Sequence, residues 1–157
     1  MTRFHGVMSV TLVGIAIGIA LWVLVPVAWG WAAGYIALCG VGMGAILYAY
    51  CAKCPCKQCC AHVLPGMIAG RFPRKPGPYS TAEQVAVVVV LLLILGLPQL
   101  WLWRNVTAGF VFWALTAIAA TQILAFICGR CPNIHCPVGK MRGGEGARGS
   151  GGDKVTR

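Results

Sequence analysis

Cysteine carries whatever chemistry this chain performs. Eight of its nine cysteines fall in two short clusters built on one pattern. The first cluster opens Cys51-Ala52-Lys53-Cys54-Pro55 and reaches Cys59. The second opens Cys128-Gly129-Arg130-Cys131-Pro132 and reaches Cys136 with the same spacing. Each follows a long apolar stretch, so each sits where a hydrophobic helix should end. A proline pushes the residue before it out of the helical region. The spacing therefore predicts helices that stop near Cys54 and Cys131. The first two cysteines of each trio then lie three apart on one face of a last turn. The loop beyond the proline can return the third thiolate to that face.

Three converging thiolates at a helix end favour a bound cation. The C-terminus of a helix carries partial negative charge, which opposes bare thiolates. Lys53 and Arg130 are expected to offset that charge in part, and a metal would offset it far more. The six matched cysteines, Cys51, Cys54, Cys59, Cys128, Cys131 and Cys136, are the candidate ligands. Cys56 and Cys60 bring the count to eight, the number that two 4Fe–4S clusters require. The first unit holds five and the second three, so one cysteine would have to cross between them. His62 and His135 are further candidates for a fourth ligand. Zinc is the alternative, because its four-cysteine and three-cysteine-one-histidine sites use the same C-x2-C spacing. A thiol-only or transient-metal chemistry is the third reading. The remaining cysteine, Cys39, falls inside an apolar stretch opposite Thr116 of the second half and reads as a small packing residue.

The elements that present these clusters are membrane helices. The chain has 157 residues, 59% hydrophobic and 10% charged; a soluble domain carries about a quarter charged residues. Four stretches, roughly 7–25, 31–50, 84–103 and 108–127, lack charged side chains and histidine. Each is close to the ~20 residues that cross a bilayer as a helix. A cleaved signal peptide is the alternative for the first, with Arg3 as its basic region, but the third stretch mirrors it. The expected fold is all-α and integral to the membrane.

Of thirteen basic residues, only Arg104 falls on the side of the two short inter-helix turns. The others accompany the termini and the long central loop, which marks that side as cytoplasmic. The clusters would then face a reducing compartment, where structural disulfides are disfavoured. The net charge of +10 fits topology and anionic lipid. Nucleic acid is not an expected partner, because no basic helix carries interleaved aromatics.

The pattern repeats upstream of the cysteines. Pro26-x-x-Trp29-x-Trp31 and Pro98-x-x-Trp101-x-Trp103 share the form P-x-x-W-x-W. The second half carries a short insertion, expected around residues 104–107. The reading is a duplicated helical hairpin: two parallel repeats about an axis along the membrane normal, N-in and C-in. Repeat one spans about 7–60 and repeat two about 84–137, within a four-helix domain of residues 1–141. A basic, proline-rich linker covers about 71–79, and the Gly-rich tail 142–157 is expected to be disordered. Ser80-Thr81-Ala82-Glu83 has the form of a capping box opening the third helix. Gly14 with Gly18, and Gly40 with Gly44, are spaced for close helix contacts. The tryptophans belong at the outer interface as anchors, or around a quinone or lipid pocket. Gln99 and Gln122 are expected to hydrogen-bond between helices. His5, His62 and His135 are read as lying outside the spans, which excludes a bis-histidine haem.

The run Cys128-Gly129-Arg130-Cys131-Pro132-Asn133-Ile134-His135-Cys136-Pro137 resembles the cysteine motifs of polyferredoxin-type membrane subunits in respiratory electron-transfer chains. The likeness covers about a dozen residues, its internal spacing differs, and no counterpart of that family's soluble ferredoxin domain is expected within these 157 residues. It implies cysteine ligation of iron–sulfur clusters and a place in electron transfer. The expectation is a membrane subunit of a larger redox complex, passing electrons between a cytoplasmic redox protein and a carrier such as quinone. No triad, phosphate loop or carboxylate pair occurs, so turnover by this chain alone is not expected. A zinc-stapled scaffold or assembly protein is one alternative. A carrier of soft ions such as Cu(I) or Hg(II) is the other.

Overall fold

The computed structural model describes residues 2–54, 63–75 and 77–128. Every regular element among them is helical. Helix α1 spans Thr2–Leu24 and α2 spans Trp29–Ala49. A 3-10 turn, Cys51–Lys53, ends the first hairpin. A short helix α3, Val63–Gly70, follows, an element beyond the four spans expected from the sequence. Helix α4 spans Thr81–Gly96, α5 spans Gln99–Leu102, and α6 spans Val106–Thr121. The last helix runs on as a π-helical segment, Gln122–Ile127.

Four helical stretches are long and apolar enough to cross a bilayer: Phe4–Leu24, Trp29–Lys53, Thr81–Leu102 and Val106–Ile127. Their outward faces carry large apolar side chains such as Val7, Ile15, Trp22, Val41, Leu92, Leu100 and Phe110. Hydrocarbon is the solvent that tolerates such a surface, and a helix satisfies its own backbone there.

Two seams hold the bundle. Helix α1 packs along α6 and its π-helical extension, and α2 packs along α4. Each cysteine-bearing helix thus lies against the first helix of the other hairpin. Neither seam brings the two cysteine-bearing spans together, although the cysteine count implies that one cysteine crosses between the units. Small buried residues explain the pairing. On α1 the face towards its neighbours carries Gly6, Ser9, Ala16 and Ala20, all buried. Ser9 keeps its hydroxyl satisfied locally by donating to the Gly6 carbonyl at 3.0 Å. Gly42 of α2 faces α4, where an added Cβ would meet Val90 Cγ1 at 2.7 Å and Ile94 Cδ1 at 2.9 Å. The glycine pairs singled out by spacing do otherwise: Gly14, Gly18, Gly40 and Gly44 have nothing within 4 Å of an added Cβ. Spacing revealed small-residue faces, but the helices turn different faces inward.

The core gathers at the end away from the cysteines. Ala16, Ala20 and Leu24 meet Ala32 and Tyr35, Leu102, Ala108 and Phe112 there. Tyr35 is fully buried and donates its hydroxyl to the Ile94 carbonyl at 3.1 Å, tying α2 to α4. The buried pairs Tyr35 and Phe112, and Gly42 and Ala119, stand at the offset that relates Cys51 to Cys128.

The two P-x-x-W-x-W motifs are not structural equivalents. Pro26 lies in the first inter-helix turn, and Trp29 begins α2. Pro98 is buried within the third span, and Trp101 belongs to α5, which adds a turn to that span. Asn105 then caps α6, its Oδ1 accepting from the Ala108 N–H at 3.1 Å. The third and fourth spans start at one offset from the first and second, Phe4 to Thr81 and Trp29 to Val106, which is also the offset from Cys51 to Cys128, so the short insertion expected around residues 104–107 is not present. Trp31 and Trp101 meet with ring centroids 4.9 Å apart, while Trp29 and Trp103 stay exposed at this end.

Candidate metal centre

The end of α2 behaves as a pre-proline helix should. The Tyr50 N–H still reaches the Ile46 carbonyl at 2.9 Å. The chain then tightens, with the Cys54 N–H donating to the Cys51 carbonyl at 3.2 Å. Cys54 itself is extended, with φ −68° and ψ 129°, as the following Pro55 demands. In a 3-10 turn, positions i and i+3 eclipse. Cys51 and Cys54 are therefore presented from one side of one turn, and both are half-buried.

The matched helix differs over its last described turns. Beyond Thr121 it widens, and the Cys128 N–H bonds back to the Ile123 and Leu124 carbonyls. Cys128 closes this segment, also half-buried. Both helices run towards the same end of the bundle as the N-terminus of α1, so Cys51, Cys54 and Cys128 share that end. Cys56, Cys59, Cys60, His62, Cys131, His135 and Cys136 lie outside the described residues, as does the Gly-rich tail. Among the described residues no three metal-ligating side chains form a group.

A strap of residues 71–75 and 77–80 folds back onto the end of α2, where the sequence suggests only a basic, proline-rich linker. The last carbonyls of a helix lack intrahelical partners, and the strap supplies them. Arg74 donates to the Tyr48 carbonyl at 3.1 Å, its guanidinium 4.4 Å from the Tyr48 ring centroid. The Tyr79 hydroxyl donates to the Tyr50 carbonyl at 3.3 Å, and the two rings stack. Glu83 joins these pieces. It completes the expected capping box with Ser80, accepts from Lys53 Nζ at 2.6 Å and from Arg74 at 2.9 Å. Lys53 also donates to the Pro78 carbonyl. Lys53 was expected to offset the thiolates; its charge is instead matched by Glu83, and Arg74 is the cation at the helix-end carbonyls. The sequence marks Glu83 as a cap only. The available signal was its isolation: the other two acidic residues, Glu145 and Asp153, lie in the tail.

The second seam has a different chemistry at the same end. His5 belongs to α1 and to its membrane-capable stretch, a correction to its placement outside the spans. Its Nδ1 donates to Gln122 Oε1 at 2.6 Å, and its ring stacks on Phe126 with centroids 4.3 Å apart. The Gln122 amide nitrogen lies 3.9 Å from Met8 Sδ. Gln99 accepts from the Trp113 indole at 3.0 Å. Both glutamines thus link helices, as expected. Cys39 is half-buried beside the core, with its thiol against the Tyr35 hydroxyl. Its counterpart Thr116 donates to the Phe112 carbonyl at 2.8 Å.

No protein-family model, curated protein or solved structure matches the chain. The helices themselves define its class: a multi-pass helical membrane protein, with cysteines closing two of its four spans at one end.

Proposed function

We propose that the chain is a duplicated hairpin whose two cysteine units bind iron–sulfur clusters and serve electron transfer within a larger membrane complex. The carrying observation is the turn at Cys51 and Cys54, where two thiols share one side of a helix end that stops before proline. Soft thiolate donors at that spacing fit an iron–sulfur cluster. Such a cluster supplies one-electron redox chemistry when bound. The chain's own residues orient the ligands, keep the helix-end carbonyls capped, and set the charge beside the thiols.

Duplication is supported by the two seams, since exchange of the hairpins carries one into the other. It is also supported by the matched burial of Tyr35 with Phe112 and Gly42 with Ala119. Cys59, Cys131 and Cys136 complete the two trios, with Cys56, Cys60, His62 and His135 as additional candidates. The local likeness to polyferredoxin-type subunits favours a cytoplasmic redox protein on one side and a quinone-like carrier in the bilayer.

Metal analysis of protein purified without oxygen tests this reading. Iron with acid-labile sulfide and a reducible visible absorbance is the expected result. Stoichiometric zinc without iron would replace it with the zinc-stapled scaffold. The cytoplasmic orientation has its own test in reporter fusions. A fusion after Arg157 should report inside and one in the Arg104 turn outside; an external C-terminus overturns the orientation.

A further inference from the structure

We infer that Glu83 is a positioning residue for the first cysteine unit, acting through Lys53 on the turn that carries Cys51 and Cys54. The inference rests on the metal-binding reading above and adds what holds and polarises that site. Lys53 lies between the two cysteines, so anything that fixes its side chain restrains the turn. Its ammonium is held at 2.6 Å by Glu83 and also donates to the Pro78 carbonyl. Both ion-pair side chains are largely shielded, Lys53 at 16% and Glu83 at 15% exposure. Salt screens a shielded pair much less than an exposed one.

The same carboxylate also reaches the helix just before the turn. Its second oxygen accepts from Arg74, which is bound to the carbonyl and ring of Tyr48, one turn before Cys51. The capping box fixes Glu83 itself, because Ser80 N–H donates to Oε2 at 2.9 Å. One carboxylate at the start of α4 therefore holds the end of α2 at two points, within the cysteine turn through Lys53 and one turn before it through Arg74 on Tyr48.

The electrostatic consequence follows from composition. Glu83 is the single acidic residue before position 145. By matching Lys53, it leaves the thiolate charge of this unit without that neighbouring cation. Groups that hydrogen-bond directly to a metal ligand alter affinity by about 10–100-fold when removed, and Glu83, which acts one residue further out through Lys53, belongs at the lower end of that range. A residue that only caps α4 would not couple to Lys53.

A double-mutant cycle on the full-length protein separates these cases. Glu83→Gln, Lys53→Met and the double variant are purified anaerobically in a Cys128→Ser/Cys131→Ser background, which leaves only the first unit. Release of the bound metal to excess chelator is timed, and thermal unfolding is recorded alongside. Glu83→Gln should speed release by roughly tenfold. In the Lys53→Met background the same change should have little further effect. Glu83→Asp, which keeps the charge, should recover part of the retention. Equal and additive effects in both backgrounds, or release that simply tracks lowered melting, would reduce Glu83 to a helix cap. Release unchanged by Glu83→Gln from a protein that does hold metal overturns this inference alone. A parent protein that holds neither iron nor zinc overturns the metal-binding reading as well.

Discussion

Cys54→Ser and Cys131→Ser should each remove roughly half of the bound metal, and the double variant nearly all of it, if each unit holds its own four-ligand site. Cys39→Ser should leave the content unchanged. Cys54 ends a 3-10 turn whose geometry pairs it with Cys51, so replacing its thiol breaks a set and not a packing contact. Cys39 sits a turn from Tyr35 against the core, and a serine can keep that contact. Metal per protein, measured after anaerobic purification without chelator, decides the matter. If either single variant loses everything, the two units share one centre. If Cys39→Ser loses as much as Cys54→Ser, the assignment of ligands fails. A parent protein with all cysteines titratable and no metal defeats the centre altogether.

Gly42→Leu should separate α2 from α4 and strongly destabilise the bundle. An added Cβ already lies 2.7 Å from Val90 and 2.9 Å from Ile94, well inside contact distance. Overpacking of this kind costs about 1–3 kcal/mol for a modest enlargement, so even Gly42→Ala should lower stability. Alanine recovers only about 0.5–1 kcal/mol through its better helix propensity. Leucine adds three more carbons and should also break the Tyr35 hydrogen bond to the Ile94 carbonyl. Gly40→Ala and Gly44→Ala meet open space and should be neutral or mildly stabilising. Unfolding titrations in mixed micelles compare the four variants. A Val90→Ala partner should restore part of the loss in Gly42→Ala. Equal behaviour of Gly42→Ala and Gly44→Ala would show that the seam lies elsewhere.

The sequence by itself determined the four spans, because a run of about 20 apolar residues has few other uses and the backbone inside hydrocarbon must be helical. It also determined where α2 stops, since a proline acts on its immediate neighbour, and where α4 starts, since the capping box of Ser80 and Glu83 is local. The two glutamines between helices were legible for a related reason: a polar amide in an apolar stretch has to find a partner. What escaped was everything set by which face of a helix turns inward. Glycine spacing points to Gly40 with Gly44, whereas Gly42 has Leu38 and Ile46 four residues away and gives no such signal; only packing against Val90 and Ile94 selects it. His5 was counted outside its span because charge patterning marks apolar runs, whereas α1 extends to Thr2 and seats the imidazole on Gln122 and Phe126. The repeated tryptophan motif suggested equivalent turns, yet Pro98 lies inside a span and Pro26 outside one.

The clasp at the cysteine turn shows the division most plainly. Lys53, Arg74 and Glu83 are far apart in sequence, and nothing local pairs them. Only the fold of the strap back onto α2 brings two cations to one carboxylate, because the orphan carbonyls at a helix end need donors and the chain supplies them from the next loop. Propensity, hydropathy and proline act over a few residues and can be read in order along the chain. Seams and ion pairs depend on which surfaces meet, and that is decided by tertiary packing.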